Sequence, residues 1–200
     1  MFMIDIVFPD KNEKDFIELA EKLGYFGLMF VYDNKGTVPD ISKFKTKLKL
    51  KTALLAPQKK VQSAKAKSKL VFVKAVEDNR FAFEKSRPDL VFAVEEAQPR
   101  DFMHQRGSGL NHIMCRFAKE NSVKIGFSFN SILNSSAMSR AQIIGRMQQN
   151  ILLCRKFKCK TVIASFAKDP YEMRSPKDLL AFFTQIGMHQ KEAKDSLNTF

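Results

Sequence analysis

The sequence predicts an α/β fold built on a parallel sheet, and two observations carry that reading. About seven short runs rich in Val, Ile, Leu and Phe alternate with stretches whose apolar residues recur at helical spacing, or with loops. The runs are nearly continuous in apolar residues, as strands covered on both faces are, instead of alternating with polar ones.

The elements follow in order. Met1 to Pro9 reads as the first strand, closed by Pro9. Asn12 as cap, Asp15 three residues on, and Phe16, Leu19, Ala20 and Leu23 make a helix that Gly24 stops. Gly27 to Tyr32, Thr52 to Pro57, Leu70 to Val76 and Leu90 to Glu95 are the next four strands, with a short helix near Asn79 to Lys85. Leu110, Ile113, Met114, Phe117 and Ala118 fall on one helical stripe. Ser108 is its expected N-cap and Asn121 its C-cap, so Arg106 should sit beside a helix N-terminus, where backbone N–H groups favour an anion. Val123 to Phe129 is the sixth strand. Ser139 to Gln142 has the form of a capping box, opening a helix that carries Ile144, Met147, Ile151 and Cys154. Thr161 to Ala167 is the seventh strand. Ser175, Pro176 and Asp178 then start a helix that Gly187 ends. The sheet could be open or closed into a barrel, and no repeat of fixed period is present. With 200 residues, 44% of them hydrophobic, and no long Pro/Gly/Ser linker, residues 1–200 are expected to form one domain.

Charge gives the first functional indication. Lys and Arg number 34 against 21 Asp and Glu, a formal net charge of +13, which implies an anionic partner. Ile41 to Val76 contains eleven lysines and no acid. Within it, Lys43, Lys45, Lys47, Lys49 and Lys51 alternate with Phe44, Leu48 and Leu50, so an extended chain puts five lysines on one face. A solvated lysine face on an edge strand is one reading. A nucleic-acid face is favoured because Lys59, Lys60, Lys65, Lys67 and Lys69 continue the same sign. The 19 Phe residues lie mostly within strand or helix patterns and read as core.

Catalytic patterns are weak. The three histidines are dispersed, with no zinc-site spacing, and Ser108 is not in a nucleophile elbow. A metal-dependent phosphoesterase is the alternative, assembled from the strand-end acids Asp5, Asp33, Glu95, Glu96 and Asp169. A third reading is a scaffold whose charge answers an acidic protein. Three cysteines without a C-x-x-C pair suit a reducing, cytoplasmic compartment; the N-terminus lacks a secretory leader, and no apolar run is long enough to span a membrane.

Several motifs in order carry a family resemblance: H-Q-R-G-S-G-L-N from His104, I-G-F-S-F from Ile125, R-M-x-x-N-I from Arg146, and R-S-P-x-D-L from Arg174, followed by I-G-M from Ile186. Together they resemble ribonuclease P protein component 3, the archaeal counterpart of a eukaryotic subunit shared by ribonuclease P and the mitochondrial-RNA-processing enzyme. The match is densest from about Leu90 onward. The resemblance implies a TIM-like barrel related to the polymerase and histidinol phosphatase superfamily. It implies an RNA-binding subunit that works with ribonuclease P RNA, protein component 2 and the other protein subunits on precursor tRNA. It also implies no cofactor on the protein, with magnesium held by the RNA, which removes the tRNA 5′ leader. The superfamily's metal-binding histidines have no match, since Asp5-Ile6-Val7 stands where an H-x-H is expected. Arg106, Arg146 and Arg174 are the expected RNA or partner contacts, joined by Asn111 and His112. Ser108, Asn111 and Asp178 are expected mainly to cap helices and anchor loops. His112 reads equally well as a packing or capping histidine.

Overall fold

A computed structural model describes residues 3–34, 36 and 38–200. Seven strands run in sequence order through one sheet: β1 (Ile4–Val7), β2 (Gly27–Asp33), β3 (Lys49–Leu55), β4 (Val71–Lys74), β5 (Leu90–Phe92), β6 (Lys124–Ser128) and β7 (Thr161–Ala164). Every neighbouring pair is parallel. The sheet curls until Val7 bridges Ala167 and the Phe8 amide donates to the Ala167 carbonyl at 2.8 Å, so the barrel is all but closed. The seam is reinforced by Asp5, wholly buried, whose carboxylate accepts the Ser165 amide at 2.7 Å and the Ser165 hydroxyl at 2.6 Å.

The β-strand alternation sorts side chains into two layers. Ile4, Ile6, Met29, Val31, Ala53, Phe72, Leu90, Phe92, Val162, Ala164 and Phe166 fill the barrel. The opposite faces of the strands pack under α1 (Glu13–Leu23), α2 (Val61–Lys65), α3 (His112–Glu120), α4 (Asn130–Leu133), α5 (Ala137–Phe157), α6 (Pro176–Gln185) and α7 (Gln190–Leu197). Gly126 explains part of the I-G-F-S-F motif. Its face of β6 points into the barrel, where a Cβ would stand 2.8 Å from the Phe92 Cβ and 3.2 Å from the Phe166 ring. Those two rings stack there at 4.8 Å.

Several boundaries differ from the sequence reading, most strands being shorter than expected, and α2, α4 and α7 are not marked by it. The helix expected to start after Gly107 begins at His112, and its N-cap is Asn111, whose side chain accepts the Met114 amide at 2.9 Å; Ser108 is buried upstream. The long helix expected from Ser139 begins at Ala137 after Ser136. β3 starts at Lys49 and lies between β2 and β4, so the lysine-rich strand is interior to the sheet and not an edge. Asn121, Gly24 and the Ser175-Pro176-Asp178 start sit at the helix ends as expected. The three cysteines are free.

Candidate nucleic-acid interface

Because all strands are parallel, their first residues gather at one end of the barrel, and that end is basic. Lys49 opens β3, Lys124 opens β6, Lys69 precedes β4 and Lys160 precedes β7. The alternation read from the sequence holds up to Lys49: Lys43, Lys45, Lys47 and Lys49 are exposed, while Leu48 is buried and Phe44 and Leu50 half-buried toward α1. Glu21 on α1 ties the segment down by accepting the Thr46 hydroxyl at 2.5 Å and the Lys47 amide at 3.3 Å.

Lys51 turns inward. Opposite Met29 in register, it reaches the barrel floor and donates to the Phe200 carbonyl at 3.0 Å, while the Lys124 ammonium lies 4.2 Å from the centre of the Phe200 ring. Burial lowers both lysines' pKa, and neighbouring lysines lower them further, Lys49 acting on Lys51 and Lys160 with Lys51 acting on Lys124; only Asp89 acts the other way on Lys124. A cavity of about 670 Å³ adjoins this floor, lined by Lys124, Arg155, Lys158, Lys160 and Lys191 among others. Arg155 is held by Glu192 at 2.7 Å, whereas the four lysines make no ion pair among the described residues. Glu192 and Asp195 are the acids on the same wall, and with Glu192 committed to Arg155 the lysines leave the cavity net basic, which favours an anion.

Lys59 and Lys60 lie elsewhere. They follow β3, whose seven residues carry the chain roughly 20 Å to the other end of the barrel. The single lysine run of the sequence is therefore two patches, one at each end.

The R-G-S-G-L-N and R-M-x-x-N-I motifs meet. Arg146 on α5 is 2% exposed, and its guanidinium donates to Asp101 Oδ1, the Glu95 carbonyl and the Gln98 carbonyl, each at 2.8 Å. One turn on, Asn150 donates to Glu95 Oε1 at 3.0 Å and to the Ser108 carbonyl at 2.8 Å. Gly109, at φ +75°, lets the loop pass against the Val94 carbonyl, where any Cβ would collide. Arg146 is thus corrected from an expected RNA or partner contact to a buried clamp on the loop before α3. Glu95 lies in the same clamp, wholly buried, and burial pushes its carboxyl up to about 7 against the Asn150 hydrogen bond.

Arg106 is exposed on this loop and donates to the Gly145 carbonyl on α5, so it does not sit at the start of α3. Around it Phe102, Met103 and Met138 are 64%, 92% and 86% exposed, an apolar surface that charge alone would not have revealed. Arg174 is half-buried and occupied: it donates to the Tyr171 and Met173 carbonyls at 3.0 and 2.8 Å and lies over the Phe129 ring. Asn111 is spent as a cap, and His112 is exposed at the first position of α3.

The strand-end acids do not converge. Asp5 faces away from the barrel interior at the β1–β7 seam, Glu95 serves the clamp, Glu96 pairs with Lys74 at 2.9 Å and Asp169 caps a 3-10 turn. Among the described residues no three His, Cys, Asp or Glu side chains assemble as metal ligands. The C-terminal end of the barrel, where barrel enzymes place their chemistry, carries the rings of Phe8, Phe92 and Phe166 instead.

Comparison with known proteins agrees with this geometry. The family model for RNase P subunit p30 matches residues 3–199. The chain belongs to the RNase P subunit p30 family. Curated relatives of this chain include ribonuclease P protein component 3 of Methanosarcina mazei, 32% identical over 60% of this chain and 47% of the relative. That of Thermococcus kodakarensis is 34% identical over 48% and 44%. The alignments therefore span about half the length of these relatives, although the Methanocaldococcus jannaschii protein, 25% identical, aligns over 92% of this chain and 82% of its own. Among solved structures, a chain in the cryo-EM structure of archaeal ribonuclease P with mature tRNA superposes with a TM-score of 0.78 at 24% identity, covering 98% of this chain and 87% of that one. A zinc-bound histidinol phosphate phosphatase from Lactococcus lactis superposes with a TM-score of 0.59 at 6% identity, covering 94% and 95%. This chain therefore shares a barrel with that phosphatase, while among its described residues no three His, Cys, Asp or Glu side chains assemble as metal ligands.

Proposed function

We propose that this chain is an RNA-binding subunit of ribonuclease P that assists the catalytic RNA in removing the 5′ leader of precursor tRNA. The observation that carries it is the basic N-terminal end of the barrel in a member of the p30 family, with the C-terminal end paved by phenylalanine. The lysines at the strand starts neutralise phosphates. The exposed surface of Phe102, Met103 and Met138 around Arg106 suits a protein partner, for which component 2 is the expected occupant. Magnesium belongs to the RNA in this reading, and the protein supplies no group to the cleaved bond.

The test is cleavage of precursor tRNA by the catalytic RNA at low magnesium, with and without this chain and component 2. The expected result is cleavage that requires the RNA and a magnesium requirement that falls when the proteins are added. Hydrolysis by the chain alone with added divalent metal would overturn the reading and return attention to the strand-end acids. RNA affinity should also fall steeply with salt, by about 0.7–0.9 in log–log slope per phosphate neutralised.

A further inference from the structure

Two cavities open side by side at the C-terminal end of the barrel, away from the basic floor. One, of about 740 Å³, has Phe8, Phe92 and Phe166 in its lining and the hydroxyls and amides of Ser128, Asn130 and Asn134 around them. The other, of about 730 Å³, is lined by Lys60, Lys67 and Lys74 with Asn34 and Ser63. They adjoin at Leu55 and Lys74, which line both.

Phe92 and Phe166 are buried and stacked, and Phe8 stands 5.7 and 6.3 Å from them with its own ring partly accessible. A ring so placed offers a face on which any nucleobase can stack; the Asn134 amide donates to Asn130 and Glu172 and the Asn130 amide to the Phe166 carbonyl, which leaves the Asn134 carbonyl to accept and the Ser128 hydroxyl to donate at the base edge. The acids on these walls are Asp10, Asp33 and Glu96 against Lys60, Lys67, Lys74 and Lys168. Glu96 is taken by Lys74 at 2.9 Å, while Lys60 and Lys67 make no ion pair among the described residues. A base can enter such a cavity only when it is unpaired and unstacked.

We propose that the paired cavities hold one unpaired nucleotide of a single-stranded RNA segment, its base on Phe8 and its flanking phosphates on Lys60 and Lys67. An acidic peptide would use the lysines but leave the aromatic wall unused. The site requires nucleotide chemistry only and does not depend on the cleavage role.

The probe is a short unpaired oligoribonucleotide carrying 2-aminopurine, titrated into the full chain, since stacking on an aromatic ring changes its fluorescence. The expected result is a saturable change for the native chain. It should weaken about tenfold for Phe8→Leu, which keeps the apolar bulk and loses the ring face. Lys60→Gln with Lys67→Gln should lower the salt slope by about 1.4, that is about 0.7 per phosphate contact. Lys14→Gln with Lys194→Gln, the same charge removed from exposed helix surfaces, should leave the slope as it was. Native-like binding by both mouth variants overturns the proposal, as does competition by a polyglutamate peptide of matched charge at the affinity of the oligonucleotide.

Discussion

Glu95 shows how one buried carboxyl can be both anchor and liability. Its Oε2, the Asn150 Oδ1 and one Arg146 nitrogen have no hydrogen-bond partner among the described residues, so the carboxylate would be ionised in the fold with half its acceptors idle. Its folded value of about 7 lies above the ordinary 4.5, so the fold binds more protons than the unfolded chain between those limits. The stabilisation is complete below about pH 4.5 and is lost as pH rises through 7, on the order of 3 kcal/mol in all. Glu95→Gln keeps the acceptor for Asn150 and adds a donor toward its idle Oδ1. Urea unfolding should show the variant about 1–3 kcal/mol more stable at pH 8 and equal at pH 4.5; a loss at pH 8 would mean the ionised form is the one the clamp wants. Asp5 behaves in the same direction, its burial raising it to about 6 from 3.8, so its contribution fades between those values. Arg146 belongs to the same cluster. Arg146→Ala strips the Glu95 and Gln98 carbonyls and Asp101 of their donor, and the expected cost is about 3–5 kcal/mol, measured by thermal melting. Below the melting temperature the salt slope for RNA should be unchanged, because a buried guanidinium neutralises no phosphate.

At the scale of elements, glycines and caps decide what the strands can carry. Gly126 makes room inside β6 for the Phe92–Phe166 pair, so Gly126→Ala forces those rings apart. Overpacking of this kind costs about 1–3 kcal/mol, and a lowered urea midpoint with unchanged far-UV dichroism is the expected signature. α3 is positioned by Asn111 and the loop before it by Arg146 and Asn150, so two sequence motifs separated by forty residues describe one structural joint. The strand-like alternation Lys43 to Lys51 was legible because pleating imposes period two on any extended chain. What periodicity could not supply was the strand's place in the sheet, which depends on pairing with β2 and β4.

At the scale of the whole molecule, lysines form a basic patch at each end of the barrel axis, and the N-terminal patch is assembled from strand starts. Lys49, Lys69, Lys124 and Lys160 collect at the N-terminal end because parallel pairing aligns every strand start there. Replacing Lys69, Lys158 and Lys160 by Gln should reduce the salt slope of RNA binding by about 2–3 while leaving the melting temperature near its native value, since all three are exposed. An unchanged slope would remove the N-terminal end from the interface.

The sequence by itself determined the α/β class, the seven strands, the ends of α1 and α6 and the C-terminal end of α3, because caps, periodicity and apolar runs are local signals; it did not mark α2, α4 or α7. It also determined the sign of the chain's own charge, since net charge requires no coordinates. Only the tertiary structure decided which arginines are available. Arg106 and Arg146 read alike in the chain, yet one is exposed and the other is 2% exposed among carbonyls contributed by a loop forty-odd residues away. It also divided one lysine run between the two ends of a barrel and gave Asp5, Glu95, Glu96 and Asp169 separate structural duties. These outcomes depend on which residues distant in sequence become neighbours when the sheet closes, and no local pattern encodes that.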